Sequence, residues 1–593
     1  MKDRFSLLLS RTGWVGGVLG LVATIYFLFG LAGQVHSALL NLSVAAALVA
    51  SAAFFLANFL FIPKRTTWLG RCLWLAILIF FLAEVVLGLL PPTSRDELTH
   101  HLAIPKLYGR AGRIIEVPIA PYAYYPMLLD MLYTPWVYWG YDFVPKLIHC
   151  LYAYLTGLLL YAYLSRRMNE MYGLLGFFLF VSTPAVARLS HWGYIDLGLT
   201  FYAAAALLAL LHWREEGSRQ RWLGLAALSL GFALATKPSG LLVALLVAFL
   251  FLLLIVKRSR KGWADTYKDI MVFGLGMLVP FAPWLVKNWL QTGNPFYPLL
   301  GTWFATQSPV LSEVASFGAI GIFAKRELLY GESPWEIAAL PLRLFLFGQD
   351  DHPKFFDGVL TPVLILFLPW AFKGKWLDDK KLLASFALLF LLYALFLVEL
   401  RIRYILPIVP PLVILAVYGV FNVYIRIKRP VYLAGVLLIF ALWHSIYLVT
   451  YIRAPAPFNY LAGRESREAY LARMLPEYAA VQFVNHNTEA AAKIYLLFVG
   501  RRAYYYEREY FHDGGDLPGY LLAAVRNAKT PADIAHTLKK RQITHLVVRE
   551  SLLTDFLANN LDMSQAVTWN LFAHNRLELK FRDRGHSVYE VHG

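Results

Sequence analysis

The sequence predicts a polytopic α-helical membrane protein with a C-terminal α/β domain on one of its faces. Three observations predict it. Of 593 residues, 59% are hydrophobic and 16% charged, whereas a soluble chain carries about 25% charged residues. Apolar runs such as 241–256 and 382–398 hold no charged residue and approach the roughly 20 residues that a bilayer crossing needs. Basic residues recur in every second connection between such runs, as the positive-inside rule demands.

About thirteen transmembrane helices follow from these runs, near 13–33, 38–61, 69–90, 143–164, 171–187, 194–213, 221–236, 239–256, 269–290, 358–372, 381–399, 403–425 and 430–451. The basic connections are Lys64/Arg65/Arg71, Arg166/Arg167, Arg214/Arg219/Arg221, Lys257/Arg258/Arg260/Lys261, Lys373/Lys375/Lys380/Lys381 and Arg426/Lys428/Arg429. All fall on one side if the N-terminus is cytoplasmic. Lys2, Arg4 and Arg11 ahead of an apolar run imitate a secretory signal. The length of that run, and the second run directly after it, mark a retained first span instead. The opposite side then receives loops 91–142 and 291–357 and everything beyond about 455. This divides the chain into a membrane domain, 1–454, and a soluble domain, 455–593. The apolar stretch 127–139 is short for a span and fits a re-entrant or interfacial segment.

The soluble domain reads as α/β. Residues 466–485 have a helical pattern, 493–499 a buried-strand pattern, and 543–548, 577–582 and 587–592 further strand patterns. Thr530-Pro531-Ala532-Asp533 is a helix start, with a cap, a proline at the first position and an early acid. The domain carries no glycine-rich phosphate loop, so a structural or acceptor-docking role is expected of it.

A net charge of +17 resembles a nucleic-acid signal. However, residues 455–593 hold 17 Lys and Arg against 15 Asp and Glu, so almost all of the excess belongs to the membrane domain and its topology. The expected partner is a lipid bilayer and no nucleic acid. Cys72 and Cys150 fall in or beside spans and offer neither a metal motif nor a disulfide framework.

Charges at membrane depth are expensive and call for a reason. On the side opposite the basic connections they are Asp96, Glu97, His100, His101, His191, Asp196, Lys237, Lys287, Glu399, Arg401 and Arg403. Acids and bases are both present, which suits a site that deprotonates one substrate and neutralises a phosphate on another. Asp96, where the third span leaves the membrane, is the candidate general base; an N-cap for the helix through Leu102 and Leu107 is the plainer alternative. Glu97 and His101 are four apart and share a helix face, where they orient the base or acceptor, hold a cation, or simply pair. Asp196 opens a later span, fixing an acceptor hydroxyl or complementing its own helix dipole. His191 lies close by for positioning.

Lys237 is held in a tight turn before Pro238-Ser239-Gly240, in reach of a lipid phosphate or snorkelling to the interface. Arg401, Arg403 and Tyr404 run against the positive-inside trend, and guanidinium groups bind phosphate through paired donors. Gly348-Gln-Asp350-Asp351-His352-Pro-Lys354 forms either a lid or, as its polarity favours, a solvated loop.

Asp96-Glu97 in the first large loop, Tyr194-Ile-Asp196, Thr236-Lys237-Pro238, Pro283-Trp284-Leu-Val-Lys287-Asn288 with Gly293-Asn294-Pro295-Phe296-Tyr297-Pro298, and Arg403-Tyr404-Ile-Leu-Pro407 occur in this order. Over about residues 91–410 the set resembles the polytopic GT-C fold glycosyltransferases near glycosyltransferase family 39, which includes protein O-mannosyltransferases and bacterial aminoarabinose–lipid A transferases. Two extra spans at the N-terminus, and Lys287 where related chains often carry arginine, depart from that pattern.

The resemblance implies a polyprenyl-phosphate-linked monosaccharide (undecaprenyl in bacteria) as donor. It also implies inverting transfer to a lipid, glycan or protein hydroxyl on the extracytoplasmic face of a bacterial inner (plasma) membrane. It makes Asp96 the base, with Glu97 and Asp196 beside it as catalytic candidates. Lys237, Arg401 or Arg403, with Tyr404 and Lys287, would bind the donor phosphate. No cofactor is required. A divalent metal is the open alternative, with Asp96, Glu97 and His101 as its ligands. The Trp-Trp-Asp signature of oligosaccharyltransferases is absent. A transporter or flippase for lipid-linked sugars is the rival reading, but the repeated halves with broken helices usual there are not evident.

Overall fold

The structure, a computed structural model, describes residues 2–64, 66–215, 220–256, 263–304, 322–373, 378–395, 400–513 and 517–592. Arg65, Arg219, the basic connection 257–261, Lys375 and Glu399 lie outside them. Among the described residues, each predicted span contains helix. Among the described residues, eight helices are long and apolar enough to cross a membrane, and a ninth if Glu170–Val181 and Pro184–Ser190, bent by 69° to each other, count as one.

The other predicted spans depart from a simple crossing. Gln220–Thr236, Gly240–Val256 and Asp378–Ala394 are continuous but shorter helices. The stretch predicted over 358–372 is two short helices, Val363–Leu366 and Leu368–Ala371. Pro369 lacks the N–H that would bond back to Ile365, so the helix breaks ahead of it. The first helix begins at Lys2, well before the expected start, because its basic residues continue the helix.

The bundle has an inside and a rim. The most apolar window of Asp196–Glu215 is wholly buried, against 17% of that of Pro430–Arg453. Small residues permit the inner contacts: a Cβ on Gly157 would lie 2.1 Å from the Phe177 ring, so only glycine lets Val144–Arg167 and Glu170–Val181 approach this closely. The 127–139 segment forms the helix Leu128–Tyr138, buried along almost its whole length.

Beyond Arg453 the chain forms a five-stranded sheet in the order β2-β1-β3-β5-β4. β1 (Lys493–Leu497) pairs in parallel with β2 (Glu509–Phe511) and β3 (His545–Arg549). β5 (His586–Val591) is antiparallel to both β3 and β4 (Leu577–Asp583). Four consecutive buried residues in β1, Ile494–Leu497, suit a strand covered on both faces. Thr530 and Asp533 form the capping box expected of their spacing. The predicted helix over 466–485 is two, Arg467–Met474 and Tyr478–Asn487, parted at Leu475-Pro476.

This domain docks on the first large loop. Leu87, Leu90, Leu98 and Leu102 share one apolar cluster with Leu471, Val481 and Val484. Tyr504 N–H donates to Leu98 O at 3.0 Å, and the Tyr505 hydroxyl to Pro92 O at 2.7 Å. Lys106 reaches Tyr504 O and the Glu507 carboxylate, each at 2.7 Å. Arg467 pairs with buried Asp142 at 2.5 Å. The segment that carries Asp96 and Glu97 is thereby clamped at both ends.

Candidate active site

Pro91 and Pro92 end the helix Trp68–Gly88 cleanly, and buried Lys146 satisfies its last carbonyls, Leu87 O at 3.1 Å and Leu90 O at 2.9 Å. The chain then enters a π-helical turn, Glu97–His101, closed by Leu102 N–H on Glu97 O at 2.9 Å. Such turns insert one residue and re-aim the side chains. Here the insertion undoes the expected pairing of Glu97 with His101. Glu97 turns inward and accepts from the backbone N–H of Ser94 at 2.9 Å and of Gly193 at 2.5 Å. His101 Nδ1 and Asp130 Oδ1 share a hydrogen bond at 2.8 Å.

Asp96 makes no side-chain cap. Its carboxylate is bound by the Arg403 guanidinium, which stands 5.3 Å from the Tyr194 ring and 5.1 Å from that of Tyr404. The Asp96 N–H donates to the Tyr194 hydroxyl at 3.2 Å, and Ser94 Oγ donates to the same oxygen at 2.6 Å. Burial alone would raise the Asp96 pKa, but Arg403, assisted by His100 and His101, holds it well below the usual carboxylate range. Burial raises Glu97 instead, against the pull of Lys146 and its two amide donors. His100 is pushed down to about 3, His101 to about 4 and His191 to about 3, each chiefly by burial.

A second group joins the first through Arg403, whose other nitrogen reaches the Tyr404 hydroxyl at 3.4 Å. Lys237 Nζ stands 4.9 Å over the Tyr404 ring and pairs with Asp196 Oδ1 at 2.6 Å. Neither the snorkelling of Lys237 nor a purely helix-capping role for Asp196 describes this contact. His149 fixes the start of that helix, accepting from Leu197 N–H at 2.9 Å and donating to Leu189 O at 2.9 Å.

A cavity of about 700 Å³ opens beside Asp96, Glu97, His191, Arg401 and Arg403, and the C-terminal domain lends it Tyr470 and Arg502. His191 donates from Nδ1 to Ala187 O at 3.1 Å and packs on Tyr451. Asp196, Lys237, Tyr404 and His101 do not line this cavity. Lys287 is not brought to either group: it is buried against the first loop, donating to Ala123 O at 2.7 Å. A lysine two turns from the end of its helix is well placed to tie down that loop.

The segment 348–354 is exposed at Gln349 and from Asp351 to Pro353, as a solvated loop is, but its acids are tied down. Asp350 and Asp351 bind Arg188 at 2.8 and 2.6 Å, Asp357 does so at 3.4 Å, and Asp357 also meets Arg401 at 3.3 Å. The loop closes tightly: a Cβ on Gly348 would lie 2.4 Å from Gly358 O. Burial raises the Asp350 pKa, opposed mainly by Arg188. Arg188, Lys146 and Asp130 are the residues that sequence reasoning passed over, and Tyr194 entered it only as part of a motif. Arg188 follows directly on a span drawn to end at 187, so the test of charge at a span end reaches it. Asp130 is the lone acid in the apolar stretch 127–139.

The metal set Asp96, Glu97 and His101 is not gathered. Among the described residues, three ligand atoms come within 4.8 Å of one another only at Glu578, Glu590 and His592. There Lys580 already pairs with both glutamates, at 2.8 and 2.9 Å.

Residues 142–286 match the family described as dolichyl-phosphate-mannose-protein mannosyltransferase. No curated protein matches the sequence significantly. The crystal structure of ArnT from Cupriavidus metallidurans bound to undecaprenyl phosphate superposes with a TM-score of 0.53 at 13% identity, covering 89% of this chain and 98% of that one. The same protein in the apo state gives a TM-score of 0.51 at 13% identity, covering 87% and 96%. This chain is therefore a polytopic membrane protein with the GT-C glycosyltransferase fold, resembling glycosyltransferase family 39 through its central helices.

Proposed function

We propose that the protein is a glycosyltransferase that moves a sugar from a polyprenyl-phosphate-linked monosaccharide to an acceptor hydroxyl on the extracytoplasmic face. The observation that carries this reading is the Asp96–Arg403 ion pair, with Lys237 and Tyr404 on one side of it and the large cavity on the other. The undecaprenyl phosphate bound by ArnT from Cupriavidus metallidurans supports the donor class, and the basic connections support the orientation.

The donor phosphate lies against Arg403, Lys237 and Tyr404, with Arg401 at the rim. Its negative charge draws the guanidinium away from Asp96, so the carboxylate regains basicity only when donor is bound. An acceptor hydroxyl entering from the cavity gives its proton to Asp96 as its oxygen attacks the anomeric carbon. The phosphate leaves from the opposite face, giving inversion. Its charge is stabilised by groups already in place. Glu97 and His191 shape the acceptor side, Asp196 fixes Lys237, and no metal is routed through the reaction.

The test is sugar release from synthetic polyprenyl-phosphate monosaccharides by the protein in nanodiscs, with native lipid and glycan extract as acceptor. Turnover that is lost in Asp96→Asn while donor binding persists supports the reading. No turnover with any donor, or equal turnover in both proteins, overturns it and favours a transporter.

A further inference from the structure

A buried acid stands behind the base with a single partner. Asp130, on Leu128–Tyr138, is fully buried; its Oδ1 takes the His101 hydrogen bond at 2.8 Å, and its Oδ2 has no partner. A carboxyl in so apolar a helix is costly unless something recovers the cost. One turn on, the Tyr133 hydroxyl donates to Tyr194 O at 2.5 Å, and Tyr194 in turn holds the Asp96 backbone. The same short helix therefore supports the base through two side chains.

His101 sits at the end of the π-turn, five residues after Asp96. The i to i+5 bond of the turn runs from Leu102 N–H to Glu97 O, and Asp96 is the residue directly ahead of it. Among the described residues, Nδ1 carries the only hydrogen bond of the ring. The groups facing the imidazole are Asp96 and His100 from its own segment, Asp130 and the Tyr194 ring, Asp196 from Asp196–Glu215, Lys237 from its turn, and Arg403.

Resting on the transferase reading above, we infer that His101 and Asp130 form a proton-accepting pair behind Asp96. The acceptor O–H bond breaks and its proton passes to the Asp96 carboxylate. It then moves to Nε2 of His101, which becomes imidazolium, while Asp130 holds the ring through Nδ1 and balances the new charge. Asp96 is returned as a carboxylate, and the proton leaves to water when product departs. Asp130 acts as a positioning residue throughout. The pair gives the proton a place to go once Asp96 has taken it, so that the carboxylate is free again before the product leaves.

The experiment compares wild type, Asp96→Asn, His101→Gln and Asp130→Asn in nanodiscs, measuring kcat, donor KM and the pH profile of kcat. Binding of a non-transferable polyprenyl phosphate serves as the folding check. Asp130→Asn is expected to lower kcat at least about tenfold with donor KM unchanged. It also moves the acid limb to lower pH, because a histidine without its carboxylate partner protonates less readily. His101→Gln loses that limb. A variant that is merely less stable shows the limb moving to higher pH, and that result overturns the pairing, as does an unchanged kcat. If Asp130→Asn fails the binding check, the limb of the wild type and its loss in His101→Gln decide. Asp96→Asn inactive with both other variants at wild-type rate removes the pair alone, whereas Asp96→Asn fully active removes the base and the pair together.

Discussion

Asp96 and Arg403 stand 307 positions apart in the sequence and close on each other as one ion pair between the large cavity and the Lys237–Asp196–Tyr404 group. The pair ties the loop after the third long helix to the start of Ile402–Tyr424. It leaves the Asp96 carboxylate ionised and a weak proton acceptor in the absence of an anionic ligand.

That weakness has a measurable sign. Asp96 has a folded pKa below the ordinary carboxylate value because burial, which raises it, is outweighed by Arg403 together with His100 and His101. The carboxylate is charged at every working pH, and the acid limb it sets lies below about pH 4. Arg403→Gln removes the opposing cation and leaves burial, so the limb moves upward. Transfer at neutral pH is expected to fall about a hundredfold or more, with a raised donor KM. A pH–rate profile of the variant checks both.

Lys237→Ala leaves Asp196 buried without its partner. A loss of roughly 2–3 kcal/mol in stability is expected from breaking such a partly buried pair. Asp196→Asn added to Lys237→Ala recovers much of the stability, because the stranded charge is gone, but recovers no transfer. Thermal unfolding in detergent, set beside turnover of the single and double variants, separates the two roles.

The C-terminal domain is predicted to act on the site through the first loop. Arg467→Ala unpairs buried Asp142 and loosens the clamp over residues 91–106. Hydrogen exchange should rise there while the inner helices stay protected, and kcat should fall more than donor affinity does.

Stability should fall on mild acidification. His100, His101 and His191 have folded pKa values pushed down to about 3, 4 and 3 by burial, below the unfolded value of about 6.5. The unfolded chain therefore takes up protons first as pH falls. Their contribution is complete above about pH 6.5 and is lost progressively toward pH 4. Melting temperatures between pH 7.5 and 4.5 in one detergent check this, and His101→Gln should flatten the slope.

Much of the candidate site was legible because membrane depth makes charge conspicuous. Asp96, Asp196, Lys237, Arg401 and Arg403 stand out at the ends of apolar runs, and the structure gathers them around one ion pair. Lys287 stood out by the same rule yet serves the loop at Ala123, since the rule detects the cost of a charge and not its partner. The shared helix face of Glu97 and His101 is not kept, because a π-turn has no signature in the spacing of side chains. Arg188 escaped because its partners Asp350, Asp351 and Asp357 come from a loop more than 160 positions away.

The sequence by itself determined the class of protein, the order of its helices and four of the five strands of its C-terminal sheet, Glu509–Phe511 being too short to show. These follow from local hydrophobicity and periodicity, which each segment carries alone. Only the tertiary structure decided which charges meet, which histidine faces which acid, and that the C-terminal sheet region clamps the loop around Asp96. Those outcomes depend on contacts between distant segments, where burial makes each unpaired charge costly enough to select its partner.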